Sequence, residues 1–99
     1  MDSVIACKLT EPEFRERRNG ILRNVRAAVI EVKELQDGYA YRFPSDGAWI
    51  AELSSLITIE RACCPFLRFK IDIAPGEGPI WLELSGPEGT KDFLNSIFA

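Results

Sequence analysis

The feature that most constrains this chain is a change of hydrophobic period that happens twice. Helical spacing gives way to alternation, returns, and gives way again before the C-terminus. A period of 3.6 gathers apolar residues on one side of a helix, and a period of two gathers them on one face of a sheet. Helices and an antiparallel sheet sharing one core satisfy both patterns. The chain has 99 residues, the size of one domain, so residues 1–99 are read as a single domain.

The segments follow from local chemistry. Val4 to Leu9 alternates as a short strand or extended arm. Thr10 suits an N-cap, Glu13 completes a capping box, and Leu9 with Phe14 forms a hydrophobic staple. Pro12 fits a first turn, where its missing N–H would have no partner. Phe14, Ile21, Leu22, Val25, Ala28 and Val29 make the apolar side of this first helix, which Gly20 weakens. Residues 30–35 and 39–43 read as strands around a tight Asp37-Gly38 turn. A second helix spans 48–63, capped by Ser45 or Asp46 and stopped by Pro65. Strands at 66–74 and 80–85 flank a Pro- and Gly-rich loop, and a last helix covers 90–98.

The expected fold is therefore α+β. An N-terminal helix precedes two β-β-α units, which form a four-stranded antiparallel sheet with helices on one face. In the second hairpin Leu67, Phe69, Ile71, Ile73, Ile80, Leu82 and Leu84 are expected in the core. Arg68, Lys70, Asp72, Trp81 and Glu83 then point the other way. That outer face is either a solvated sheet surface or, because it carries Trp81, a face covered by a second copy of the chain as a homodimer.

Composition narrows the function. A hydrophobic fraction of 46% excludes a disordered chain. A net charge of −3 argues against nucleic-acid binding by bulk charge. Arg15, Arg17, Arg18, Arg23 and Arg26 cluster on the first helix, but Glu11, Glu13 and Glu16 interrupt them. No apolar run approaches the roughly 18 residues of a membrane span, and the N-terminus lacks the pattern of a secretory signal. Three cysteines make a poor disulfide framework. The expectation is a cytoplasmic protein with reduced thiols. Histidine is absent, which removes the usual acid/base catalyst at neutral pH.

The second helix carries the unusual residues. Trp49, Ile50, Leu53, Leu56 and Ile57 form its apolar stripe, and Glu60 falls in the middle of it. A carboxylate buried there needs a basic partner, a bound cation or a raised pKa. Arg18 interrupts the apolar stripe of the first helix in the same way, so the two are expected either to pair or to line a ligand pocket. Cys63 and Cys64 lie one turn beyond Glu60, on its two flanks. In a regular helix their side chains would diverge, but Pro65 forces Cys64 out of helical geometry. The frayed end would leave both thiols partly reachable from solvent, with Arg61 to offset thiolate charge. If the N-terminal arm lies alongside, Cys7, Cys63 and Cys64 make a three-thiol cluster. Soft thiolates select Cu(I), zinc or Hg(II). The plainer reading makes the cysteines small buried hydrophobes.

Glu60-Arg61-Ala62-Cys63-Cys64-Pro65-Phe66 resembles the E-R-x-C-C-P-F segment of a family of small bacterial proteins. The resemblance extends to Cys7 with Leu9-Thr10, to Asp37-Gly38-Tyr39, and to residues 81–89. It implies no activity, substrate or cofactor. Three classes of function remain. The first is a soft-metal or thiol-reactive binding module on Cys7, Cys63 and Cys64, with Arg18, Glu60 and Arg61 as further ligand contacts. The second is a structural or interaction domain with packing cysteines and a buried Arg18–Glu60 pair. A thiol enzyme ranks last, since Glu60 alone could serve as its base.

Overall fold

The computed structural model describes residues 11–98. Val4, Cys7, Leu9 and Thr10, and with them the expected arm, N-cap and staple, lie outside the described residues. The described elements run α1 (Pro12–Ala28), β1 (Glu31–Glu34), β2 (Gly38–Phe43), α2 (Ala48–Cys63), β3 (Arg68–Ile73), β4 (Ile80–Ser85) and α3 (Thr90–Phe98). This is the expected α+β order, a helix followed by two β-β-α units. The N-cap of α1 is Glu11, whose side chain makes no capping bond.

The four strands form one antiparallel sheet in the order β1-β2-β4-β3. Each hairpin places its second strand at the centre and its first at an edge. Tyr39, Tyr41 and Phe43 of β2 stand opposite Leu84, Leu82 and Ile80 of β4 on the helix-covered face. With Leu22 and Val25 of α1, Leu53 and Leu56 of α2 and Leu94 of α3, most of these side chains form the core. Phe98 of α3 stacks on Tyr41 with ring centroids 4.6 Å apart.

Three expectations change at the edges. Ile71 and Ile73 do face the helix side, opposite Leu82 and Ile80. Yet they are 38% and 46% exposed, because β3 is an edge strand that the described helices do not cover. Phe14 and Ile50 are exposed too, while Ile59, outside the expected stripe, is buried. Alternation gives the direction of a side chain but not the extent of the layer above it.

The outer face carries Arg68, Lys70, Asp72, Trp81 and Glu83, as the alternation implied. Glu31, Arg42, Trp81 and Asp72 form one transverse row across the four strands. The Trp81 indole is half-buried, and the Lys33 ammonium lies 4.6 Å from its ring centroid. A cation at that distance is attracted to the ring face.

Gly38 serves a purpose different from the expected turn. It is already in β2, opposite Ser85, and its φ is not positive. The turn closes ahead of it, with the Leu35 N–H donating to the Gly38 carbonyl at 2.9 Å. A Cβ on Gly38 would overlap the Leu84 carbonyl oxygen and crowd the Ser85 Cα. Gly20 in α1 has open space around the same position. Gly38→Ala should therefore lower stability by about 1–3 kcal/mol through overpacking. Gly20→Ala should raise it by about 0.4–1 kcal/mol by restricting the unfolded chain. Urea denaturation of the two variants checks this pair of opposite signs; a neutral Gly38→Ala would mean that the β2–β4 seam is looser than described.

Candidate functional site

α1 packs against α2, and this contact brings together the two charges that interrupt the apolar stripes. The Arg18 Nε donates to Glu60 Oε2 at 2.6 Å, and its Nη2 donates to Glu60 Oε1 at 3.1 Å. The side chains are 12% and 2% exposed. A two-point guanidinium–carboxylate bond is the geometry that best offsets the desolvation of a buried carboxylate. The expected pair is thus present, with Glu60 fully enclosed and Arg18 reaching the surface.

The same carboxylate holds a third group. Cys64 Sγ donates to Glu60 Oε1 at 3.5 Å. The two residues are four apart, one turn of helix, and Cys64 has left the helix with φ −126° and ψ 76°. Pro65 is the cause, since it disfavours helical geometry in the residue before it. The Cys64 N–H still donates to the Glu60 carbonyl at 2.6 Å, and the Leu67 N–H donates to the Cys64 carbonyl at 3.1 Å. Phe66 then packs edge-on against Phe93 of α3, with centroids 5.1 Å apart. Gly86 allows this turn to lie close, because a Cβ there would come within 3.0 Å of the Phe66 carbonyl oxygen. Glu60 binds, Cys64 hydrogen-bonds, Pro65 ends the helix and Phe66 anchors the turn, so each of these four residues has a mechanical role.

The cysteines differ from expectation in two ways. Both Cys63 and Cys64 are fully buried, not partly reachable. Nor are all the thiols reduced: Cys63 is disulfide-bonded, and Cys64 is a free thiol. Cys7, the third member of the expected cluster, lies outside the described residues. Arg61 is exposed in the last turn of α2, and the cation that pairs with Glu60 is Arg18. Among the described residues, no three His, Cys, Asp or Glu side chains are grouped to hold a metal ion. None of their helices is long and apolar enough to cross a membrane. Compared with family models, curated proteins and solved structures, the chain matches none.

Electrostatics sets what Cys64 can do. Burial, and then the adjacent Glu60 carboxylate, push the Cys64 thiol from an ordinary 9.0 up to about 12, with Arg18 opposing the shift. At neutral pH the sulfur is a neutral donor and a poor nucleophile. Arg18 is held in its charged form by Glu60 even though burial works against the charge. The sequence reading missed the thiol–carboxylate bond, although the spacing from Glu60 to Cys64 was a signal for it.

Two outcomes follow. Glu60→Ala should destabilise by about 3 kcal/mol by leaving the Arg18 charge without its partner, and Glu60→Gln by less. Thermal melting of both variants tests this; equal, negligible losses would show that Arg18 is solvated well enough to stand alone. The second outcome concerns alkaline pH. The unfolded Cys64 loses its proton near 9.0 and the folded one holds it to about 12. Its contribution to stability is therefore complete below pH 9 and is lost as pH rises toward 12. Burial also raises the pKa of Tyr41 from 10.0, which adds a loss of the same sign above pH 10. Between pH 9 and 10 the Cys64 effect should approach about 1.4 kcal/mol per pH unit. Urea midpoints across this range should fall more steeply for the parent than for Cys64→Ala; parallel curves would exclude the coupling.

Proposed function

We propose that the protein is a soft-metal or thiol-reactive binding module, with Cys64 at its centre and Cys63 and Cys7 as the further sulfurs. The observation that carries this reading is the Cys64 thiol bonded to a buried carboxylate that Arg18 already clamps. A bare thiolate is disfavoured there, because burial and the Glu60 charge both act against it. A soft cation changes that balance. It replaces the thiol proton and adds positive charge to that of Arg18, which alone does not outweigh burial and Glu60. Arg18 keeps the Glu60 carboxylate fixed beside the sulfur. Sulfur donors favour Cu(I), zinc or Hg(II) over hard cations. Cys7 enters on its sequence alone.

The same electrostatics weighs against a thiol enzyme, because a nucleophilic cysteine needs a lowered pKa or an effective base. A second reading, a structural or interaction domain, is favoured by the complete burial of Cys63 and Cys64. In that reading the sulfurs only pack, and two copies meet through the outer sheet face near Trp81.

Reduced protein titrated with Cu(I) and Zn(II) separates the two. A binding module should gain thermal stability with free ion and release protons as thiols are displaced. Serine at Cys7, Cys63 and Cys64 together should abolish both effects. Equal, weak responses from parent and triple variant would give first place to the interaction domain, whose association would then appear in sedimentation equilibrium. Hg(II) serves only as a check of thiol accessibility, since it reacts with nearly any exposed sulfur.

A further inference from the structure

The two edges of the sheet are not alike. β1 has four residues, and its charges are already engaged within the chain. Glu31 pairs with Arg42, Glu34 pairs with Lys91, and Lys33 lies over Trp81. β3 is longer, and every residue of it except Phe69 is exposed. The ion pairs among the described residues leave out Lys70 and Asp72. Ile71 and Ile73 are large apolar groups with much of their surface open. An open edge of this kind is a template for another strand.

The ladder determines which backbone groups face outward. The Ala74 N–H donates to the Pro79 carbonyl at 3.1 Å, which continues the β3–β4 register. Hydrogen-bonded and non-hydrogen-bonded pairs alternate along an antiparallel ladder. Asp72 and Lys70 therefore bond β4. The N–H and C=O groups of Phe69, Ile71 and Ile73 point to the open edge.

A second β3 can meet those groups antiparallel, related to the first by a two-fold axis. Residues directly opposite lie on the same face of the sheet, so the charged outer-face residues must meet one another. An axis at Lys70 sets that ammonium against its own copy. An axis at Asp72 sets two carboxylates together. Like charges directly opposite are destabilising. An axis at Ile71 avoids both conflicts. Ile71 then meets its own copy, Phe69 meets Ile73, and Lys70 meets Asp72 on either side of the axis. The Lys70–Asp72 pairs fall at the non-hydrogen-bonded positions, where side chains are closest. Each Lys70 lies between Asp72 of the second copy and Glu83 of its own chain, which stands opposite it on β4.

We propose that the β3 edge is a self-association site, at which two copies of this chain join β3 to β3 antiparallel about Ile71 and pair Lys70 with Asp72. The result is one continuous sheet across both copies. This surface differs from the outer face near Trp81, and it depends on neither reading of the cysteines. A lysine in an edge strand ordinarily guards against strand addition. With Asp72 two residues further on, the same lysine selects a register instead. It forbids the axis at Lys70 and favours the axis at Ile71.

Sedimentation equilibrium of the full chain reads the association. The parent should show a monomer–dimer equilibrium that weakens as salt is added. Lys70→Asp and Asp72→Lys each place like charges opposite on both sides of the axis. Each should weaken the dimer by roughly tenfold or more. Mixed in equal amounts, the two variants should regain it, because each supplies the charge the other lacks. Ile71→Pro removes an outward N–H, a position at which an edge strand tolerates proline, and should also abolish the dimer. Circular dichroism equal to the parent's shows that loss of association is not loss of fold. A parent that stays monomeric into the millimolar range would mean that the edge stays open or is taken by other residues, and would overturn the site. A dimer indifferent to both charge reversals, or to Ile71→Pro, would place the contact elsewhere and overturn it as well. Failure of the mixed variants to associate would overturn the register on which the proposal stands.

Discussion

The buried bond between Arg18 and Glu60 governs the chemistry of this protein. A carboxylate at 2% exposure is costly to desolvate, and the two-point guanidinium contact is what makes its burial tolerable. Once Glu60 is fixed as an anion in the core, the neighbouring sulfur is fixed too. Cys64 stays a proton donor at neutral pH, since burial and the Glu60 charge 3.5 Å away outweigh the attraction of the shared Arg18. The joint between α1 and the end of α2 is therefore electrostatic as well as apolar.

The pair was readable in the sequence because it breaks a pattern. Arg18 and Glu60 each interrupt an otherwise apolar helical stripe, and two opposite violations facing one core imply each other. The element order was readable for a related reason, since a change of period leaves few architectures. The enclosure of the thiols was not readable. Burial at a helix end is decided by long-range packing, of which the Phe66–Phe93 contact and the close approach of Gly86 are examples, and local spacing does not connect those segments. The disulfide at Cys63 was missed because an odd number of cysteines points away from cross-links. Gly38 was misassigned for a simpler reason. An Asp-Gly pair signals a turn, whereas this glycine is required by the carbonyl of the neighbouring strand.

The outer sheet face shows how such a surface can stay polar while carrying a large ring. Strand register mixes charges of both signs across the sheet, and Lys33 lays its ammonium over Trp81. Long cationic side chains shelter apolar surface with their stems while the charge stays in water. Part of the cover that the sequence suggested a second chain would supply is provided by β1 of the same chain. The sheet edges are treated differently. Val32, Ile71 and Ile73 lie on the helix side of edge strands with much of their surface open. The apolar layer is thus complete at the centre, where β2 and β4 meet, and thins outward.

The strand order β1-β2-β4-β3 also determines how the chain must assemble. Each hairpin joins neighbours in sequence, and such local pairings close on microsecond timescales. The seam between β2 and β4 joins Gly38–Phe43 to Ile80–Ser85, with all of α2 and β3 in between. Its closure entropy must be spent before any cross-seam contact is gained. The ion pair obeys the same rule, since Arg18 and Glu60 are 42 residues apart. The two long-range closures meet at α2, so this one helix links the history of the sheet to that of the buried charges. Any nascent chain that has made its hairpins but not its seam still exposes Tyr41, Phe43, Leu82 and Leu84. For as long as that lasts, it is the species most prone to stick to its neighbours.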